Sequence, residues 1–136
     1  MRTSLRVAAA FIVLGLWVAC SLFESGILWQ DGPYVLRKTD KAEDVQLFYS
    51  AGSGVWLKRV GPTVFSVGYD GDYVVAKQHP AGDKSITNYF IVDAQRDSLS
   101  VEARDVVIGP LSEYEFKEKA QELNLPPFSK VIESLK

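Results

Sequence analysis

The chain contains very little cysteine and histidine, with one residue of each among its 136 residues. A single cysteine cannot form an internal disulfide, and these two residues are too few for a zinc site built from cysteine and histidine ligands. A strong excess of one charge is missing as well, because 15 basic and 17 acidic side chains leave a net charge of −2. We therefore expect no metal site, no cofactor and no nucleic-acid partner.

A hydrophobic run long enough to cross a membrane is also missing. The uncharged, apolar residues 7–19 number thirteen, whereas a membrane-spanning helix needs about 20. Arg2 and Arg6 stand before this run and form a positive start to it. Residues 1–19 therefore have the layout of a secretory signal peptide.

The only cysteine stands directly after the apolar run. Residues 16–20 are Leu-Trp-Val-Ala-Cys, which resembles the lipobox of bacterial lipoproteins, with Trp17 at a position where leucine is usual. The resemblance implies cleavage between Ala19 and Cys20 and attachment of a diacylglyceryl group to the thiol of Cys20. The alternative is an uncleaved signal anchor in which Cys20 is a bystander.

These features predict where the protein resides and how it is divided. We expect an exported protein that a lipidated Cys20 anchors to the bacterial membrane, and to the outer membrane if the host has one, because Ser21 rather than aspartate follows the cysteine. Residues 1–19 are the predicted lipoprotein signal peptide, residues 20–32 a tether, and residues 33–136 a single β-rich domain. Without residues 1–19 the chain has thirteen basic and seventeen acidic side chains, or −4. This acidic balance predicts that the domain stands off an anionic bilayer.

The domain is rich in short runs of β-type residues separated by turn residues. This pattern predicts an antiparallel sheet, and we expect strands near 33–38, 45–50, 54–60, 63–69, 72–79, 86–93 and 99–107. The pair Asp70–Gly71 lies between two alternating runs and favours a hairpin with a type I′ turn. Residues 88–93 are apolar at consecutive positions, which is typical of a strand covered on both faces.

The end of the chain carries the signals of one helix. Ser112 and Glu115 have the spacing of a capping box, and Asn124 followed by prolines predicts the end of the helix. Phe116 and Ala120 fall on one side of it. The expected fold class is α+β: an antiparallel β-sheet meander of five to seven strands with a C-terminal helix packed on one face.

No catalytic residue can be assigned from the sequence. A Gly-x-Ser-x-Gly elbow, which raises a nucleophilic serine out of a turn, is absent. Pro80 predicts that a strand ends there, so we expect His79 at the sheet edge, in water. Asp70 and Asp72 alternate as in a calcium loop, but the other ligands of that motif are missing, so we interpret them as turn residues.

Aromatic residues are the remaining candidates for a functional surface. Adjacent strand residues face opposite ways, so some of these rings must leave the main core. They either pack under the helix and the tether, or they form a patch that contacts a protein partner. The candidate contact residues are Trp56, Tyr73, Tyr89 and His79.

Three functions agree with these observations. The preferred one is a lipid-anchored, non-enzymatic envelope protein, held to the membrane by its N-terminal lipid, that binds or supports another envelope component. A second is an inhibitor or immunity-type protein that acts on a hydrolase or toxin through an exposed loop at residues 80–85. A third is a small carboxylate-dependent hydrolase, which predicts a cleft and a raised carboxyl pKa.

Several segments of the chain also resemble a known group of proteins. Residues 68–69, 73–80, 89–93 and 109–111 resemble a family of small bacterial lipoproteins of unknown function. The resemblance extends from the lipobox to the C-terminal helix. It implies the same location and fold, and it implies no particular activity.

Overall fold

The computed structural model describes residues 26–52 and 54–136. The predicted signal peptide, its cleavage position at Ala19 and the predicted lipid attachment at Cys20 lie outside the described residues. Helices, strands and turns account for most of the described chain. The strands are β1 Ile27–Asp31, β2 Tyr34–Lys38, β3 Val45–Tyr49, β4 Leu57–Val60, β5 Val64–Tyr69, β6 Tyr73–Gln78, β7 Asn88–Asp93, β8 Val107–Leu111 and β9 Lys130–Val131. The helices are α1 Ala103–Val106 and α2 Glu113–Leu123, and 3₁₀ turns lie at Pro80–Gly82 and Glu133–Leu135.

The strands form two antiparallel sheets. Sheet 1 has the order β1-β2-β3-β4, and sheet 2 has the order β8-β7-β6-β5-β9. The predicted α+β class, the antiparallel pairing and the C-terminal helix on one sheet face are confirmed. The strands of the described chain number nine and are divided between two sheets, whereas the sequence predicted five to seven in one meander.

The main core lies between the two sheets. Alternate residues of β2 and β3 point inward, and they meet alternate residues of β5, β6 and β7. The fully buried members of this cluster include Tyr34, Leu36, Val45, Leu47, Val64, Val67, Val74 and Val92. Burial of apolar area contributes about 25 cal/mol per Å², so the burial of these side chains stabilises the packing of the two sheets.

The second face of sheet 2 is covered by α2 and the chain after it. Phe116 of the helix packs with Val75, Tyr89 and Ile91 of the sheet. The predicted capping box is present, since Ser112 Oγ accepts from the Glu115 N–H at 3.1 Å and Glu115 accepts from the Ser112 N–H at 3.0 Å. Asn124 ends the helix with φ of 53°.

Two predicted segments differ from the structure. Residues 27–31, assigned to the tether, form β1, because the free edge of β2 pairs with them and Trp29 packs against the core. Residues 99–107, predicted as a strand, contain a turn and α1. In that turn the Ser100 N–H donates to Ser98 Oγ, and the short helix buries Val106, so β8 begins only at Val107.

The β5–β6 hairpin is present with a different turn. Tyr69 pairs with Val74, and the Asp70 N–H donates to the Tyr73 carbonyl, so Gly71 and Asp72 are the two connecting residues. Gly71 has φ of 95° and Asp72 is not in the positive-φ region. Positive φ at the first central position alone is typical of a type II′ turn. The predicted type I′ turn is therefore wrong, and the two connecting residues lie one position later than predicted. The Asp70 side chain accepts from the Asp72 and Tyr73 N–H groups, and these bonds fix the position of the turn.

Candidate functional site

A cavity of about 350 Å³ opens on the helix side of sheet 2. It lies where the ends of β5, β6 and β7 meet the first turn of α2 and the end of the chain. We call it the His79 cavity, and its lining residues are Phe65, Lys77, His79, Thr87, Tyr89, Glu113 and Lys136.

A β-bulge shapes one wall of the cavity. Val64 pairs with Gln78 and Ser66 pairs with Lys77, so Phe65 is an extra residue in β5. A bulge redirects side chains from the regular alternation. Here the Phe65 ring stacks on the imidazole of His79, with 4.1 Å between ring centroids and 13° between planes.

His79 is buried, with 5% of its surface exposed. The prediction that it lies in water at a sheet edge is therefore wrong, because Phe65 covers its ring. Its Nδ1 is 2.9 Å from the carbonyl oxygen of Ile86. A carbonyl only accepts, so Nδ1 carries the hydrogen, and in the neutral ring Nε2 is left with a free lone pair. That Nε2 is buried and has no hydrogen-bond partner among the described residues.

The cavity also contains charged groups. The Lys77 ammonium lies 4.6 Å from the centre of the Phe128 ring and 5.6 Å from that of Tyr89. Glu113 forms an ion pair with Lys117 at 3.0 Å. Burial and, to a smaller extent, the charge of Glu113 raise the pKa of Tyr89. The cavity therefore combines an aromatic wall with two ammonium groups, one carboxylate and the ring of His79, whose Nε2 is buried.

The chain after α2 brings the last residue to the cavity. It runs back along β5, where the Ser129 N–H donates to the Val67 carbonyl and the Ile132 N–H donates to the Phe65 carbonyl. A Cβ atom at residue 68 would overlap with the carbonyl of Pro127. Gly68 is therefore required for this close approach, which places Lys136 beside Phe65 and His79.

A second buried polar centre lies between the sheets, and sequence reasoning missed it. Arg59 donates from Nη2 to Asp97 Oδ1 at 2.8 Å, and the side chains are 3% and 0% exposed. The Tyr34 hydroxyl donates to Asp97 Oδ2 at 2.8 Å. Arg59 also donates to the carbonyls of Ser98 and Val101. Burial, and then the hydrogen bond to Asp97, raise the pKa of Tyr34 above its ordinary range.

This centre was missed because its partners are far apart in the chain. Asp97 lies between the predicted strands 86–93 and 99–107, and Arg59 lies within the predicted strand 54–60. The sequence shows an arginine in a short predicted strand, but it does not indicate that its partner lies 38 positions later. Arg59 points inward because it is the extra residue of a bulge between Lys58 and Val60.

The four predicted contact residues are placed at different sites. Tyr89 and His79 both line the His79 cavity. Tyr73 is half-buried at the border of the cluster under α2. Trp56 lies on the far side of the molecule, where its ring contacts Phe48 of sheet 1 with 6.1 Å between centroids.

The loop proposed for an inhibitor is exposed and held by its own hydrogen bonds. Ser85 donates to the Asp83 carboxylate from its N–H and its hydroxyl. These two bonds lower the pKa of Asp83, and bonds with Ser112 lower that of Glu115. Both shifts are opposite to the raised carboxyl pKa that a carboxylate-dependent hydrolase requires.

Two further observations concern the described part of the chain alone. Within residues 26–52 and 54–136, histidine and carboxylate side chains do not gather in a group of three that could hold a metal ion. None of the helices in this part has the length and apolar character needed to cross a membrane.

Comparison with known proteins gives a family. No curated protein and no solved structure matches the chain. A family model matches residues 31–133, which include β2 to β9, both helices and every lining residue of the His79 cavity except Lys136. The chain therefore belongs to the DUF3997 family, proteins of unknown function.

Proposed function

We propose that the protein is a lipid-anchored bacterial cell-envelope protein, and that its domain is a non-enzymatic module that binds another envelope component in the His79 cavity. The anchor is inferred from the lipobox-like residues 16–20. The observation that carries the binding role is the buried Nε2 of His79, which has no partner among the described residues.

An unpaired buried polar atom is costly to a folded protein. Leaving one unsatisfied costs about 1–3 kcal/mol, and native proteins contain few such groups. A bound group that donates an N–H or O–H to Nε2 would remove this cost. In the described residues, Ser66 Oγ and His79 Nε2 are buried side-chain atoms of this kind, and of these two residues His79 is the one that lines the cavity.

The charges of the cavity narrow the chemistry of the bound group. Within residues 26–52 and 54–136, Lys77 forms cation–π contacts rather than an ion pair, so its ammonium is available to an anion. Lys136 lines the same cavity, with its ammonium 3.9 Å from the Glu133 carboxylate. Glu113 is already paired with Lys117. We therefore propose that the bound component presents a hydrogen-bond donor next to a carboxylate or phosphate group.

The anchor is tested by the intact mass of protein extracted from the membrane fraction. We expect a mass equal to residues 20–136 plus acyl groups, and an unprocessed mass for Cys20→Ala. A full-length, unmodified mass for the wild type would overturn the lipoprotein proposal and support the signal anchor.

The cavity is tested by photo-crosslinking in intact cells. A photo-reactive residue replaces Thr87 at the cavity or, as a matched control, exposed Arg96 at the other end of β7. We expect a crosslinked product from position 87 that position 96 does not give, and its loss when His79→Leu is added. Equal products from both positions, or a product insensitive to His79→Leu, would contradict binding in the cavity.

A further inference from the structure

One face of sheet 1 points away from the core. Inward residues of β2 and β3 belong to the core cluster, so the alternate residues lie on the opposite face. The register places Val35 beside Phe48 and Arg37 beside Gln46 on that face. We call it the sheet-1 outer face, with Ile27, Gln30, Val35, Arg37, Gln46, Phe48, Trp56 and Lys58 as its residues.

Aromatic rings cover the centre of this face. Phe48 and Trp56 make an edge-to-face contact, and the guanidinium of Arg37 lies 5.0 Å from the centre of the Trp56 ring. Val35, although it points outward, is only 1% exposed. At the margin Leu28 is 37% exposed and Val55 is 48% exposed. The face therefore presents a tryptophan beside apolar side chains. Tryptophan is enriched at membrane–water interfaces, because its ring is apolar and its N–H is polar.

The charge of this face differs from that of the whole chain. Its charged residues are Arg37 and Lys58, both cationic, whereas residues 20–136 together carry −4. The acidic residues of the β2–β3 connection lie beyond the ends of the strands. The chain as a whole is acidic, yet within the described part of the chain the charged residues of this face are the cations Arg37 and Lys58. Each cation near an anionic bilayer contributes about 1 kcal/mol to binding.

The predicted lipid anchor enters the fold beside this face. Six residue steps separate Cys20 from Gly26, and six residues reach at most about 20 Å when fully extended. The first strand residue, Ile27, is paired with Arg37. An anchored Cys20 would therefore hold Arg37 and Trp56 close to the bilayer surface.

We propose that the sheet-1 outer face docks on the anionic headgroup surface of the bilayer that holds the anchor, with Trp56 at the interface and Arg37 and Lys58 beside the headgroups. This inference rests on the proposed lipid anchor. Docking through sheet 1 turns sheet 2 and the His79 cavity away from the membrane, because the two sheets pack face to face. The cavity is then presented to components in the adjacent aqueous space.

The test supplies the anchor chemically. Residues 20–136 contain every described strand and helix, and Cys20 is their only thiol, so it can be coupled to a maleimide lipid in vesicles. Trp29→Phe leaves Trp56 as the only tryptophan. We expect brominated lipids to quench its emission on vesicles containing phosphatidylglycerol, and much less on pure phosphatidylcholine.

A matched pair of charge reversals completes the test. Lys58→Glu should weaken docking at least about fivefold, whereas Lys84→Glu, the same change on an exposed lysine near the other sheet, should leave the quenching unchanged. Equal emission on both lipids, or equal effects of the two variants, would overturn the docking face. Because the lipid is coupled chemically in this test, its result does not depend on whether the cell lipidates Cys20. The intact-mass measurement tests native lipidation separately.

Discussion

The molecule contains two buried polar centres that are built in similar ways and satisfied very differently. Each has a residue that a β-bulge redirects, Arg59 in β4 and Phe65 in β5. Between the sheets, the carboxylate of Asp97 accepts from Arg59, from Tyr34 and from the Ser98 N–H. On the other side of sheet 2, one nitrogen of His79 has no partner in the part of the chain that the structure describes.

The difference distinguishes a structural role from the binding role that we propose. A buried charge pair persists when each lone pair and proton has a partner, and removing one partner leaves an uncompensated charge. A buried neutral nitrogen with a free lone pair has already lost its water, so a ligand that donates to it meets no competing partner. We therefore interpret the Arg59–Asp97 centre as structural, and the unpartnered nitrogen supports the proposed binding role of the His79 cavity.

The largest effect is expected for Asp97→Ala. It leaves the Arg59 guanidinium buried without its carboxylate, so the free energy of unfolding should fall by about 3–5 kcal/mol. Urea denaturation followed by circular dichroism measures this. Asp105→Ala, on an exposed residue of α1, is the control and should change little. A loss below about 1 kcal/mol for Asp97→Ala would contradict the structural role.

Tyr34→Phe should have the next largest effect. It removes the hydroxyl that donates to Asp97 and should cost about 1–3 kcal/mol at neutral pH. Burial and Asp97 raise the pKa of Tyr34, so the wild type is fully stabilised below the unfolded pKa of about 10 and loses stability as the pH rises further.

This pH dependence distinguishes Tyr34 from a simple packing residue. Above about pH 10, the stability of Tyr34→Phe should fall less steeply than that of the wild type. Some loss should remain, because burial also raises the pKa of Tyr69 and Tyr89. Parallel pH profiles of the two proteins would show that Tyr34 does not titrate as the structure requires.

Ser112→Ala tests how the helix supports the cavity. The hydroxyl of Ser112 caps α2, and its loss should cost about 1 kcal/mol in thermal or urea unfolding. Glu113, which follows it, lines the cavity, so crosslinking from position 87 should also weaken. Ser112→Asp preserves the cap and should restore both the stability and the crosslinking. If it restored the stability alone, the start of the helix would not contribute to the cavity.

The smallest effect on stability is expected for His79→Leu. The change removes the unsatisfied Nε2 and also the hydrogen bond from Nδ1 to the Ile86 carbonyl, while it keeps an apolar side chain under Phe65. The unfolding free energy should therefore change by less than about 1 kcal/mol. Binding in the cavity should nevertheless be lost. A loss of stability as large as that of Asp97→Ala would show that His79 stabilises the fold and would contradict its proposed binding role.

Local features were predictable from the sequence. The capping box at Ser112 and Glu115 and the end of the helix at Asn124 were identified correctly. So was the covering of β7 on both faces, since its residues belong to both core clusters. These features depend on hydrogen bonds and side-chain alternation within a few residues. The turn after Tyr69 was displaced by one residue because the Asp70 side chain, rather than the Asp-Gly pair alone, sets its register.

The sequence by itself determined the short strands, the terminal helix and the lipobox-like residues 16–20. Only the tertiary structure decided that the strands form two sheets, that residues 27–31 join the first of them, and that His79 is buried. It also brought Arg59 to Asp97 and Lys136 to Phe65. The physical reason is the same in each case: pairing across tens of residues depends on which edge and which face remain free once the local elements have formed.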